Sequence, residues 1–303
     1  MSNDTNQTKC GFVAVVGAPN AGKSTLINAC VGQKVSIVSP KVQTTRSIVR
    51  GIALHDQAQI IFIDTPGIFE AKQRFDRAMV SAAWQGTADA DSVLLIIDVS
   101  RKNYLRLATE LTEKISHHNK SIALVMNKID QVKKEDLLIK AQKLNELYDF
   151  ESTFMISALK ESGVKDIMSY LATTVPDGPW HFPEDQASDL PKLLLAAEIT
   201  REKLFLQLYE ELPYGLTVET EKWEDFDNGD IKIDQIIYIS REAHKKIVLG
   251  KGGERIRSVG KAAREELSDM FETPVHIKLF VKVRENWKDD PERYQALGLD
   301  FSS

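Results

Sequence analysis

The segment Gly17-Ala-Pro-Asn-Ala-Gly22-Lys23-Ser24 has the spacing GxxxxGK[ST], and its residue types suit one task, holding a chain of phosphates. Glycines let the backbone curl so that successive N–H groups face phosphate oxygens, and a helix starting behind the loop adds the positive end of its dipole. Gly17, Asn20, Ala21 and Gly22 would form the cradle, Lys23 would bring a cation to the phosphates, and Thr25 extends the same site into the helix. The Ser24 hydroxyl would ligate Mg²⁺.

A second group, Asp64-Thr-Pro-Gly67, closes the apolar run Ile60–Ile63 and so puts a carboxylate at the C-terminal tip of a strand. Open α/β sheets bind their ligands outside those tips. Asp64 is expected to hold Mg²⁺ through water, and the Gly67 N–H to meet the terminal phosphate. Between the two groups lies Lys41-Val-Gln-Thr44-Thr45-Arg46, polar and without a core pattern. A threonine hydroxyl here can complete the Mg²⁺ shell while its backbone N–H touches the γ-phosphate, contacts that hydrolysis would release. Two adjacent threonines leave the ligand open; Thr45 is favoured over Thr44.

Asn127-Lys128-Ile-Asp130 follows the apolar run Ile122–Met126. A carboxylate there accepts two hydrogen bonds from guanine N1–H and its exocyclic amine, which adenine cannot donate. Asn127 would bond the opposite edge, and the Lys128 stem would cover the ring face. Ser157-Ala158, after the strand Thr153–Ile156, would aim a backbone N–H at guanine O6. Buried groups left unpaired by a wrong ligand cost on the order of 10⁴-fold in discrimination. The expected nucleotide is therefore GTP or GDP.

The C-terminal part carries a different signal. Gly250-Lys251-Gly252-Gly253 joins two helical stretches as GxxG, where small residues let helix ends approach a sugar–phosphate backbone. Arg257, Lys261 and Arg264 then fall on one helix face, opposite Ile256, Val259, Ala263, Leu267 and Met270. From residue 241 to 288 there are twelve Lys and Arg against seven Asp and Glu, although the whole chain has a net charge of −5. A basic patch on an acidic body suits a protein that meets phosphate at one surface.

The elements that must position these groups follow from periodicity. Phe12–Gly17, Ile60–Thr65, Val93–Val99 and Ile122–Met126 are short, continuously apolar and rich in β-branched residues, as strands buried on both faces are. Helical stretches, among them Lys23–Val31, Phe75–Asp89, Leu105–His118 and Glu135–Tyr148, lie between them. This alternation predicts a mostly parallel α/β sheet covered by helices. The proline-bearing stretch Val175–Pro191 reads as a linker. Beyond it come a helix over Lys192–Leu212, strands over Leu216–Trp223 and Ile231–Ser240, two helices about the GxxG, and a strand over Val275–Arg284. That last strand alternates, with His276, Lys278, Lys282 and Arg284 on one face. The expected organisation is a nucleotide domain over 1–175, a linker over 176–191, and a smaller α+β domain over 192–303.

With 303 residues, 43% apolar and 27% charged, the composition is that of a soluble globular protein of two domains. The opening MSNDTNQTKC is polar, and no apolar run approaches the ~18–20 residues that span a bilayer. A cytoplasmic monomer is expected, with peripheral contact at the inner membrane face left open. Two cysteines, Cys10 and Cys30, are expected as free thiols.

The ordered set GAPNAGKS, TTR, DTPG, NKID and SA resembles the translational GTPase superfamily, and the chain as a whole, to FETPVHIKLFVKVRENWKDD, resembles the Era family of bacterial GTPases. The resemblance implies a P-loop G domain followed by a type II KH domain of order αββααβ, GTP hydrolysis with Mg²⁺, binding of the 3′ end of small-subunit ribosomal RNA, and a role in maturing the small ribosomal subunit. One position departs from Ras-type GTPases, which place a water-orienting glutamine after the glycine of DxxG: here it is Ile68. No side chain claims the catalytic role, and intrinsic turnover is expected to be slow, about 10⁻⁴–10⁻² s⁻¹. The competing function class is a GTP-dependent regulator of cell-cycle or membrane partners whose C-terminal module binds protein or lipid. A metabolic P-loop kinase would leave NKID and GxxG without a purpose.

Overall fold

The computed structural model describes residues 8–41, 44–68, 71, 73–117, 120–208 and 212–302. Val42 and Gln43 of the threonine-bearing loop, His118 of the helix expected over Leu105–His118, and residues 209–211 of the one expected to reach Leu212 lie outside the described residues. The chain divides into two compact units: residues 1–36, 45–189 and 297–303 form the first, and residues 37–44 and 190–296 the second.

The first unit runs β1 (Lys9–Gly17), α1 (Lys23–Val31), β2 (Val49–His55), β3 (Ala58–Asp64), α2 (Arg74–Asp89), β4 (Ser92–Asp98), α3 (Tyr104–Ser116), β5 (Ser121–Asn127), α4 (Lys134–Asn145), β6 (Ser152–Ile156) and α5 (Val164–Thr174). Its sheet has the order β2-β3-β1-β4-β5-β6, parallel throughout except where β2 meets β3. Alternate residues of β1 serve opposite layers. Val13 and Val15 pack with Leu26 and Ile27 of α1 and Leu171 of α5, while Ala14 and Val16 pack with Ala83 of α2 and Leu111 of α3. Burial on both faces is why the strands read as unbroken apolar runs.

β2 was not visible as such a run, because Val49-Arg-Gly-Ile-Ala-Leu-His55 carries charge and glycine. It is an antiparallel edge strand, closed onto β3 by Asp56 and Gln57. Gly51 is needed there: a Cβ would stand 2.7 Å from Ile27 Cγ2 under α1. An edge strand leaves one row of ladder groups open. The stretch read as a linker fills it. Ile52 N–H donates to Ala187 O at 2.8 Å, Arg50 pairs with Asp189 at 2.9 Å, and Gln59 Oε1 accepts the His181 and Phe182 N–H groups at 2.9 and 3.0 Å. Residues to Asp189 therefore belong to the first unit. Cys10 and Cys30 are free thiols, and burial pushes Cys30 up to about 12.

The second unit contains α6 (Lys192–Gln207), β7 (Leu216–Asp225), β8 (Ile231–Ile239), α7 (Glu242–Leu249), α8 (Glu254–Phe271), β9 (Val275–Val283) and the short α9 (Pro291–Ala296). Its sheet is β7-β8-β9, antiparallel then parallel. The helices cover one face, where Ala197, Leu204, Val248 and Val259 pack on Val218, Ile237 and Ile239. On β9 the expected alternation holds: Val275 is buried and Ile277, Leu279 and Val281 partly so, whereas His276, Lys278 and Lys282 are exposed. Residues 37–44 count with this unit because of their packing. Ile37 lies in a cluster with Ile199, Ile233 and Leu267, Val38 N–H donates to Glu202 at 2.7 Å, and Arg201 donates to Thr44 O. No described helix is long and apolar enough to cross a membrane.

Candidate nucleotide-binding site

The phosphate loop leaves β1 at Gly17 and enters α1 at Lys23. Asn20 (φ 61°) and Gly22 (φ 102°) both take the left-handed conformation, the alternation that turns successive N–H groups toward one concavity. Gly22 has no room for a side chain, since a Cβ would lie 2.2 Å from Asn127 Nδ2. A Cβ on Gly17 would meet Ile96 O at 2.6 Å. Lys23 is buried inside the loop, its ammonium 3.2 Å from both Gly17 O and Ala18 O. Burial lowers its pKa to about 8, opposed by the nearby Asp64 charge and furthered by Arg101. A buried cation held by two neutral carbonyls is poised for an anion. Thr25 lies in the first turn of α1 behind it.

At the tip of β3, Asp64 is fully buried, and burial raises its pKa against the lowering influence of its hydroxyl partners. Asp64 Oδ2 accepts from Ser24 Oγ at 2.8 Å, Ser36 Oγ at 2.5 Å and Thr45 Oγ1 at 3.3 Å, and Ser24 Oγ is 3.1 Å from Thr45 Oγ1. Asp64 Oδ1 is buried with no hydrogen-bond partner. One carboxylate with an orphaned oxygen and converging hydroxyls is the all-oxygen donor set of a hard divalent cation. The two threonines separate here. Thr45 faces this corner, whereas Thr44 Oγ1 bonds Lys41 O and Ser39 Oγ in the second unit. Gly67 is close to the loop, for a Cβ would stand 3.0 Å from the Pro19 backbone. Ile68, in place of a glutamine, is buried in the core, and its N–H meets Gly17 O at 3.2 Å.

The base end is built on β5 and β6. Asp130 stands on a single 3₁₀ turn, its carboxylate 3.8 Å from the exposed Lys160 ammonium, a pair weak enough to yield to a ligand. Lys128 adopts φ 65°, which swings its stem back over the phosphate loop, where Nζ donates to Asn20 O at 2.9 Å and pairs with Asp98 at 2.7 Å. Asn127 joins three backbone segments: Nδ2 donates to Ala21 O at 2.8 Å, and Oδ1 accepts Lys128 N–H at 2.8 Å and Ala158 N–H at 3.0 Å. The Ser157 and Ala158 amides, one of which is expected at guanine O6, donate to Ser162 O at 3.1 Å and to Asn127 Oδ1 at 3.0 Å. Buried amides pair internally wherever an acceptor is in reach, and a four-residue motif does not reveal that acceptor.

Ser36, Asp98, Arg101 and Lys160 were not singled out from sequence. Ser36 and Lys160 reach the site through folding and carry no local signal. Asp98 ends the apolar run of β4 as Asp64 ends that of β3, a parallel that marks it in retrospect.

In the second unit, Gly250 (φ 74°), Gly252 (φ 58°) and Gly253 (φ 78°) form the turn between α7 and α8. A Cβ on Gly250 would strike Arg255 Cβ at 2.8 Å, while Gly252 faces open space. Lys251, Arg257, Lys261 and Arg264 are exposed, and Arg257 donates to Gly252 O at 2.9 Å.

Two family models match: a 50S ribosome-binding GTPase over residues 12–128 and a KH domain over 211–288. GTPase Era of Sinorhizobium medicae is 60% identical over 97% of this chain and 94% of its own length, and GTPase Era of Brucella suis is 57% identical over 98% and 96%. The chain belongs to the Era family of GTPases. Among solved structures, a variant of Aquifex aeolicus Era bound to GDP and AlF4⁻ is 38% identical with a TM-score of 0.91, covering 96% of this chain and 99% of its own. An Era complex with MgGDPNP and nucleotides 1506–1542 of 16S ribosomal RNA has a TM-score of 0.89 at 37% identity, with the same coverage of both chains. Like other members of the Era family, the chain is a GTPase with a P-loop G domain followed by a KH domain. The αββααβ order expected of the second domain is the one observed.

Proposed function

We propose that this Era-family GTPase acts in the cytoplasm as a guanine-nucleotide switch on the small ribosomal subunit, its KH domain gripping the single-stranded 3′ end of the small-subunit RNA and assisting assembly. The observation that carries the RNA reading is the loop Gly250–Gly253: three glycines with positive φ, one open to a ligand's backbone, lead into an 18-residue helix with three exposed cations. The likeness to an Era complex holding a 16S segment supports the choice of RNA over protein or lipid. In the first domain, Ser24, Thr45 and Asp64 hold Mg²⁺, the Gly17–Thr25 loop and Gly67 hold the phosphates, and Asp130 reads guanine. A bound metal would supply charge neutralisation at the phosphates, and the chain's own groups would orient them for attack by water.

Titration of the full chain with a short RNA of 16S 3′-end sequence tests the RNA reading. Four basic contacts from Lys251, Arg257, Lys261 and Arg264 predict a slope of roughly −3 in log affinity against log salt. Lys251→Asp with Gly252→Asp should abolish retention and spare hydrolysis; retained binding counts against the assignment. Asp130→Asn should move preference from GTP toward XTP, and unchanged GTP affinity would place the guanine pocket elsewhere.

A further inference from the structure

A phosphate loop works only if its peptide units are turned the right way. Each trans peptide points its carbonyl and its N–H in opposite directions, so whatever holds the carbonyl of one residue also aims the N–H of the next. Among the described residues, side chains hold all five carbonyls from 17 to 21. Lys23 takes Gly17 O and Ala18 O, Lys128 takes Asn20 O, and Asn127 takes Ala21 O. Pro19 O is taken by Arg101, whose terminal nitrogen donates to it at 2.7 Å. Lys23, Asn127 and Lys128 belong to the nucleotide motifs. Arg101, three residues past β4, does not.

Arg101 is itself held in place. Its Nε lies 3.1 Å from Asp98 Oδ2, the same oxygen that the Lys128 ammonium reaches at 2.7 Å. Asp98 Oδ1 is fixed in turn by the Ser100 hydroxyl at 2.5 Å and the Ser100 N–H at 3.1 Å. One buried carboxylate thus anchors two cations that grip consecutive carbonyls of the loop, Pro19 O and Asn20 O.

We infer that Arg101, anchored by Asp98, is a positioning residue for GTP hydrolysis, acting through the Pro19–Asn20 peptide to aim the Asn20 N–H into the phosphate cradle. A charged donor on the carbonyl also polarises that peptide and strengthens its N–H as a donor. As the bond to the γ-phosphoryl group breaks, negative charge collects on the departing diphosphate, so an aimed N–H contributes more to the transition state than to bound GTP. Arg101 touches neither the phosphates nor the attacking water in this role.

The inference rests on the phosphate-loop assignment, and one set of variants of the full chain separates the two. Arg101→Ala should lower the single-turnover rate about tenfold, short of the ~10²-fold that a gross misplacement costs, while affinity for GTP and GDP stays within about threefold. Arg101→Lys, which keeps a cation near the carbonyl, should recover most of that loss. A single-turnover rate within twofold of wild type for Arg101→Ala overturns the inference. So does a fall in rate matched by an equal fall in nucleotide affinity, the signature of a merely structural residue. Should Arg101→Ala fail to fold, Arg101→Gln, which keeps an amide donor without charge, is held to the same criterion. Lys23→Ala monitors the underlying assignment: if it leaves GTP affinity intact, the phosphate site itself is misplaced, whatever Arg101 does.

Discussion

Asn127 is the side chain whose loss should be felt across the whole nucleotide site. It is 2% exposed and makes three hydrogen bonds to backbone: to Ala21 O in the phosphate loop at 2.8 Å, to Lys128 N–H at 2.8 Å, and to Ala158 N–H after β6 at 3.0 Å. Asn127→Ala leaves all three backbone groups without that partner. At about 1 kcal/mol net for each bond, the first unit should lose about 3 kcal/mol. For a body of this size each kcal/mol lowers Tm by about 2–4 °C, so a fall of roughly 6–12 °C is expected. Ordering the freed loops on binding draws on the same energy, and with 1.4 kcal/mol per decade nucleotide affinity should drop about 100-fold. Asn127→Asp separates bracing from volume: it keeps both acceptor bonds but sets a carboxylate oxygen against Ala21 O, so affinity should suffer nearly as much with a smaller change in Tm. Titration with a fluorescent GDP analogue and a thermal melt read both quantities. An Asn127→Ala protein that binds GDP within threefold of wild type and melts within 2 °C of it would refute the bracing role.

Gly22→Ala should weaken GDP binding by more than tenfold in the same titration, because φ 102° costs an alanine about 1–2 kcal/mol and its Cβ would displace the Asn127 amide from 2.2 Å; binding within threefold would show that the loop yields more than the geometry allows. Burial pushes the Asp98 carboxyl up, but the Lys128 ammonium and the Ser100 hydroxyl and N–H outweigh it and hold the pKa below the usual range. The folded state then binds fewer protons than the unfolded chain near pH 4, so the stabilisation is complete above that pH and is lost as pH falls further. Asn at this position carries no such dependence. The stability gap between wild type and Asp98→Asn in urea melts should therefore be constant from pH 5 to 8 and shrink below pH 4, and a gap that persists at pH 3 would contradict it.

Much of the first unit was legible because its strands are buried on both faces. β1, β3, β4 and β5 have to be unbroken apolar runs, and each carries its functional residues at the C-terminal end, where chain order alone placed Gly17, Asp64 and Asn127. β2 escaped notice because its stability comes from pairing with β3 and from the space that Gly51 leaves for α1. The linker looked featureless because proline excludes helix and ladder continuation, and nothing local announces that Ala187 and Asp189 pair with a sheet edge. The second unit was easier. β9 alternates cleanly, since one face meets helices and the other meets water.

The motifs likewise determined which groups are present but not what each one touches. Sequence alone decided that a backbone cradle, a lysine, a carboxylate and a second acidic motif sit at strand ends in the order a guanine-nucleotide site requires, because those groups lie in contiguous runs whose local conformation is dictated by glycine, by apolar periodicity and by a helix start. Only the tertiary structure decided that Thr45 rather than Thr44 joins Ser24 and Asp64, that Asn127 braces three backbone segments, and that Arg101 holds Pro19 from 82 residues away. The reason is physical. Hydrogen bonds between side chains and distant backbone depend on distances of a few ångströms set by packing of the whole sheet, and no local pattern of residue types encodes such a distance.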